Sequence, residues 1–216
     1  MRYLYLHGLA SGPKSAKAKY LQARFRDRGL DLEMRDFNLD DTGEFNFASL
    51  TLSRKIAQTQ AWIAQSPEPV ILIGSSLGGL TAAWVAQNNP QVVRQVLLAP
   101  ALDMAVVWLS ALGRAELRRW RETGQRELFH YGLGEPRPLD YGFVTDLGSY
   151  DEGQLQRALP TLILHGQQDD VIPIQASQQF AASRHWVQLQ ALPGDHSLGS
   201  AVSTIWREIK SFCKLP

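Results

Sequence analysis

The sequence predicts an α/β domain: about six mostly parallel strands in one sheet, with helices on both faces. Three observations predict it. Short runs rich in Val, Ile, Leu and Tyr recur without polar alternation, as strands covered on both sides require. Longer segments with apolar residues at helical spacing lie between them. At roughly 150 residues per domain, the 216 residues make one domain with an insertion.

Taken in order, the first strand is Tyr3–Leu6, and Ala18, Leu21 and Phe25 mark a helix that ends before Gly29. Leu30–Met34 is the second strand, and Leu52, Ile56 and Ile63 share one face of a helix over 48–65. Val70–Ile73 follows, then a helical Leu80–Val85, then Val92–Leu98. The last strands are Thr161–Leu164 and Val187–Leu189. Leu198, Val202, Ile205, Ile209 and Phe212 give the cleanest amphipathic helix of the chain.

Residues 102–150 break this rhythm. They hold no convincing strand but carry Trp108, Trp120, Phe129, Tyr131, Tyr141 and Tyr150. The stretch is too long for a simple crossover and reads as a small cap inserted over the sheet. Helices are expected near 103–112 and 114–122, and a loop from Gly132 to Gly148, where four glycines and two prolines fall.

Composition narrows the function. Hydrophobic residues at 44% and charged residues at 20% are those of an ordinary globular protein. A net charge of +1 offers no electrostatic footprint for nucleic acid or anionic lipid. The single cysteine, Cys213, excludes a disulfide scaffold and a cysteine metal site. The apolar run at the N-terminus is too short for a signal-peptide core, and no stretch approaches the ~20 apolar residues of a membrane span. The expectation is a cytoplasmic enzyme or binding protein.

The sharpest motif is Gly74-Ser75-Ser76-Leu77-Gly78, directly after a strand run and directly before a helical one. G-x-S-x-G in that context is a nucleophile elbow, a tight turn that lifts a strained serine above the sheet edge. Only Ser76 has glycines at both offsets, where a Cβ would collide. The helix that starts beside it turns its positive end toward the place where an oxyanion forms.

A serine hydroxyl needs a base to take its proton and an acid to orient that base. Of five histidines, His196 lies in the turn Leu192-Pro193-Gly194-Asp195-His196, on the rim where parallel strands end. His7 and His165 each precede a glycine at a strand end and read as structural; His130 and His185 read as surface residues. Asp169 and Asp170 follow the strand Thr161–Leu164, their competing role being a helix cap or turn. The order Ser76, then Asp169, then His196 is that of nucleophile, acid and base in α/β-hydrolases.

These motifs resemble the α/β-hydrolase superfamily, and more narrowly the small bacterial serine esterases of the YqiA type. The narrower likeness rests on the run Tyr5-Leu6-His7-Gly8-Leu9-Ala10-Ser11-Gly12-Pro13-Lys14-Ser15-Ala16-Lys17-Ala18, on the elbow, and on Gly194-Asp195-His196. The resemblance implies the α/β-hydrolase fold, Ser76 as nucleophile and His196 as base. In its pattern H-G-x-x-D-x-x-V/I-P the acid falls on Asp169, with Asp170 as the alternative. It also implies an oxyanion hole from the backbone N–H groups of Leu9 and Leu77; Leu9 stands where Phe is more frequent. The chain opens at what would be the third strand of larger relatives, consistent with a six-stranded sheet.

The implied activity is hydrolysis of a small-molecule carboxylic ester, with acyl thioesters as a variant, through an acyl-enzyme and without metal or cofactor. The aromatics of 102–150 suit either an apolar acyl site or the insertion's own core. Arg114, Arg118, Arg119, Arg121 and Arg126 suit either a solvated face or an anionic leaving group. The competing class is a non-catalytic α/β-hydrolase-fold protein that binds a ligand or partner. A dehalogenase is disfavoured because it needs a carboxylate where Ser76 stands.

Overall fold

A computed structural model describes residues 1–216. Six strands form one parallel sheet: β1 (Arg2–Leu6), β2 (Leu32–Met34), β3 (Val70–Ser75), β4 (Val92–Leu98), β7 (Thr161–Gly166) and β8 (Val187–Leu192). Their order is β2-β1-β3-β4-β7-β8. The chain runs outward from β1 to β2, returns to β3 on the other side of β1, and then proceeds to the far edge. Strand order therefore reverses at the β1/β3 boundary, where open α/β sheets place their ligands beyond the carboxyl ends of the strands.

The unbroken apolar runs follow from burial on both faces. Leu4, Leu6, Leu72, Leu97 and Ile163 face one core, packed by α2 (Leu52–Ile63), α3 (Leu77–Asn88) and α6 (Ile174–Ala182). Tyr3, Tyr5, Ile71, Ile73, Val96 and Leu164 face the other, covered by α1 (Ala16–Arg26) and α7 (Val202–Cys213). Each fully buried Leu or Ile contributes on the order of 2 kcal/mol. Ser15 and Thr51 cap α1 and α2, accepting from Ala18 N–H and Arg54 N–H. Helix α3 is buried on all sides over its first ten residues, so it lacks the polar stripe of a surface helix. No helix is long and apolar enough to cross a membrane.

The insertion holds a hairpin and a short helix that the sequence did not predict. Its helical part is α4 (Met104–Thr123), cut at Gly113 by non-helical backbone (φ 78°, ψ 158°), which corresponds to the two expected helices. The expected loop from 132 to 148 is instead occupied by β6 (Glu135–Asp140) and α5 (Gly142–Leu147). β6 pairs antiparallel with β5 (Gln125–His130). Pro136 and Pro138 hid this hairpin, because proline is excluded from central strands but tolerated on an edge, and both strands of an isolated hairpin are edges.

Cross-links tie the insertion to the loops after β1 and β2 and to the first turn of α2. Tyr131 N–H donates to Ala10 O and Asp140 N–H to Ala48 O, while Asp146 accepts from Ser53 N–H. Much of its aromatic content forms its own core: Trp108 packs edge-on against Trp120 and Phe143, and Trp120 against Tyr141. Phe129 and Tyr131 are exposed. Arg114, Arg118, Arg119 and Arg121 are also exposed, whereas Arg126 is paired with Glu116.

Candidate active site

β1 and β3 end level, Leu6 opposite Gly74, and Ser75 sits opposite Leu98 of β4. The chain must leave β3 and enter α3 within one residue. Ser76 takes that bend at φ 54°, ψ −121°, a region that residues with a side chain avoid. Four hydrogen bonds hold the strain: Ser76 N–H donates to Leu98 O, and Ser76 O accepts from Gly79, Leu80 and Ala101 N–H. The two glycines answer different contacts. A Cβ on Gly74 would lie 2.3 Å from Gly78 O, and one on Gly78 would lie 2.1 Å from Leu6 O. The elbow is thus pressed against itself and against β1.

β7 and β8 also end level, Gly166 opposite Leu192, so the loops that follow reach the same rim. The three side chains singled out from the sequence meet there. The Ser76 hydroxyl donates to His196 Nε2 at 2.9 Å, and His196 Nδ1–H donates to Asp169 Oδ2 at 2.7 Å. Asp170, the alternative acid, is exposed.

Asp169 is saturated with donors. Oδ1 accepts from the N–H groups of Val171 and Ile172 at 3.0 and 2.8 Å, and Oδ2 also accepts from His165 Nε2–H at 3.1 Å. Burial pushes its pKa up, but the donations from His165 and His196 outweigh that and hold it well below the usual carboxylate range. His165 is itself fixed, Nε2–H also reaching Ile172 O and Nδ1 accepting from the Ser177 hydroxyl. His165 is structural, as its sequence context predicts, but one of its partners is the Asp169 carboxylate; its spacing four residues before Asp169 is the signal in the chain for that contact.

On the other side of Ser76 lies the loop after β1. A Cβ on Gly8 would sit 3.1 Å from Ser76 Cβ, so the loop touches this serine. The amides of Leu9 and Leu77 have no hydrogen-bond partner in the protein. The His7 ring sets the loop's shape: Nδ1–H donates to Gly8 O at 2.9 Å, and Nε2 accepts from Phe37 N–H at 2.9 Å. Fixing the Gly8 carbonyl fixes the plane of the Gly8–Leu9 peptide, and with it the direction of the Leu9 N–H.

Burial, reinforced by Lys55, pushes the His7 pKa down to about 4. The folded state then binds fewer protons than the unfolded one between about 4 and 6.5, so stability falls as pH drops through that window. The expected loss is about 3 kcal/mol. Burial drives Glu152 up to about 7, which acts in the opposite sense over part of the window. The difference in urea stability between wild type and His7→Asn, measured at pH 7 and pH 4.5, isolates the His7 contribution. A difference independent of pH would contradict this assignment.

Two lysines near the site had no role in the sequence reading. Lys17 Nζ donates to the Ser75 hydroxyl at 3.0 Å, and burial lowers its pKa to about 8 against the pull of Asp195 and Asp169. Lys55 is completely buried beneath His7. His130, expected on the surface, is only 2% exposed, its ring edge-on to Phe45 and Phe47. These partners lie more than eighty residues earlier in the chain, beyond any local pattern. His185 is exposed.

A six-stranded parallel sheet, a serine on a strained strand–helix turn, and an acid and a histidine delivered by the last two strands define the α/β-hydrolase fold. Within that class the chain belongs to the uncharacterised protein family UPF0227, which it matches over residues 2–214. Solved structures agree on the fold. Alpha/beta hydrolase domain-containing protein 10 from mouse superposes with a TM-score of 0.80 at 21% identity, covering 98% of this chain and 89% of that one. Est1E from Butyrivibrio proteoclasticus, bound to ferulic acid, gives 0.77 at 19%, covering 98% and 87%. A monoacylglycerol lipase from Paleococcus ferrophilus gives 0.72 at 17%, covering 97% and 94%. No curated protein matches the chain in sequence.

Proposed function

We propose that this protein is a serine hydrolase of small carboxylic esters, and of acyl thioesters as a variant, working through an acyl-enzyme. The observation that carries the reading is the unbroken line from Asp169 through His196 to Ser76, with both contacts inside the 2.6–3.2 Å reach of a working base. In this reading His196 takes the Ser76 proton as Oγ attacks the acyl carbon. Asp169 keeps the imidazole in the tautomer that leaves Nε2 free to accept. Negative charge then develops on the carbonyl oxygen, beside the partnerless amides of Leu9 and Leu77. One such donor contributes about 3 kcal/mol to a barrier. The protonated His196 returns its proton to the departing alcohol or thiol, and water repeats the sequence to release the acid.

The structural relatives lend support, since one of them is bound to ferulic acid and another is a monoacylglycerol lipase. The insertion serves as a cap in this account: α4 starts three residues after Ala101, whose amide bonds Ser76 O. The test is a panel of p-nitrophenyl esters and acyl thioesters of graded chain length. Turnover of at least one ester is expected. Failure to turn over any of them, together with a ligand-induced rise in melting temperature, would favour a binding protein on the same fold.

A further inference from the structure

Gly8 is the pivot of the loop that runs beside Ser76, and as a glycine it leaves both of its flanking peptides free to rotate. Each is nevertheless pinned by one side chain. The carbonyl after it, Gly8 O, is held by the His7 ring. The carbonyl before it, His7 O, accepts from Lys55 Nζ at 3.0 Å. We propose that Lys55 is a positioning residue for the oxyanion loop, fixing the His7–Gly8 peptide so that the Leu9 N–H faces the carbonyl oxygen of the substrate; this rests on reading Ser76 as the nucleophile.

The placement of Lys55 argues for it. The side chain is 0% exposed, extends from α2 under the loop, and makes no ion pair with a carboxylate. His7 O is its one hydrogen-bond acceptor, and its ammonium lies 4.3 Å from the centre of the Phe37 ring. A buried lysine with a single acceptor is a costly way to fill space, and methionine would fill the same volume without desolvating a charge. Burial, assisted by Arg54, drives its pKa down to about 7. The contact also lies against the elbow, since a Cβ on Gly78 would meet His7 O at 2.7 Å. Lys55 therefore sets the height of the loop relative to the nucleophile.

The experiment compares wild type with Lys55→Met for kcat and KM on one p-nitrophenyl ester, for inhibition by an alkyl boronic acid that forms a tetrahedral adduct on serine, and for the urea midpoint. Expected are a midpoint no lower than wild type, KM within about twofold, and kcat reduced at least about tenfold. Boronate affinity should weaken by the same factor as kcat/KM, which a merely structural role would not produce. Unchanged kcat and boronate affinity overturn the proposal, as does a kcat loss that only follows a fall in the folded fraction. If Lys55→Met does not fold, Lys55→Gln, with a neutral donor one atom shorter, is judged by the same kcat and boronate criteria. A wild type that hydrolyses no ester and is not labelled at Ser76 refutes the nucleophile reading along with this inference; an active wild type with an indifferent variant refutes this inference alone.

Discussion

Substituting alanine for Ser76 is expected to lower ester turnover by at least about 10³-fold while leaving the protein folded. The loss is large because in the proposed mechanism the hydroxyl is the attacking atom, and neither His196 nor the loop amides has anything to activate without it. The fold survives because the Cβ remains and the strained backbone is held by bonds from Ser76 N–H and to Ser76 O rather than by the side chain. The hydroxyl gives up one hydrogen bond, to His196 Nε2, so stability should move by about 1 kcal/mol or less. Steady-state kinetics and a urea titration on the same preparation check both halves. Residual turnover of more than a few per cent would assign the chemistry elsewhere.

Asp169→Asn should cost nearly as much, on the order of 10³- to 10⁴-fold in kcat, with KM little changed. The reason lies in the four donors around this carboxylate. Val171 and Ile172 N–H groups hold one oxygen, and both imidazoles donate to the other. An asparagine keeps its oxygen toward the two backbone amides and turns its NH₂ toward two ring N–H groups. His196 escapes that clash by moving its proton to Nε2, where it faces Ser76 and can no longer accept. Nitrogen-15 chemical shifts of the His196 ring would report this tautomer change directly, alongside kcat. Wild-type kcat in a folded Asp169→Asn protein would show that the acid plays no part.

The central strands were legible because a strand buried on both faces spells itself as an unbroken apolar run, as Val70–Ile73 does. The β5–β6 hairpin was not, since its strands are half exposed and β6 carries two prolines. The same division runs through the site. Ser76 and His196 follow strand ends in motifs that the chain itself displays, whereas the choice of Asp169 over Asp170 rests on the family pattern. The roles of His165, Lys17, Lys55 and His130 depend on contacts made across the fold, such as Lys55 Nζ to a carbonyl 48 residues earlier. A lysine in a helical stretch gives no sign that it will be buried.

The central claim is that Ser76 is an activated nucleophile. Its most direct test is peptide mapping by mass spectrometry after wild-type protein is treated with a fluorophosphonate. The account predicts one phosphonyl adduct per chain, on Ser76, and none in His196→Ala over the same interval. An adduct on another residue, or an unlabelled wild type, would contradict it.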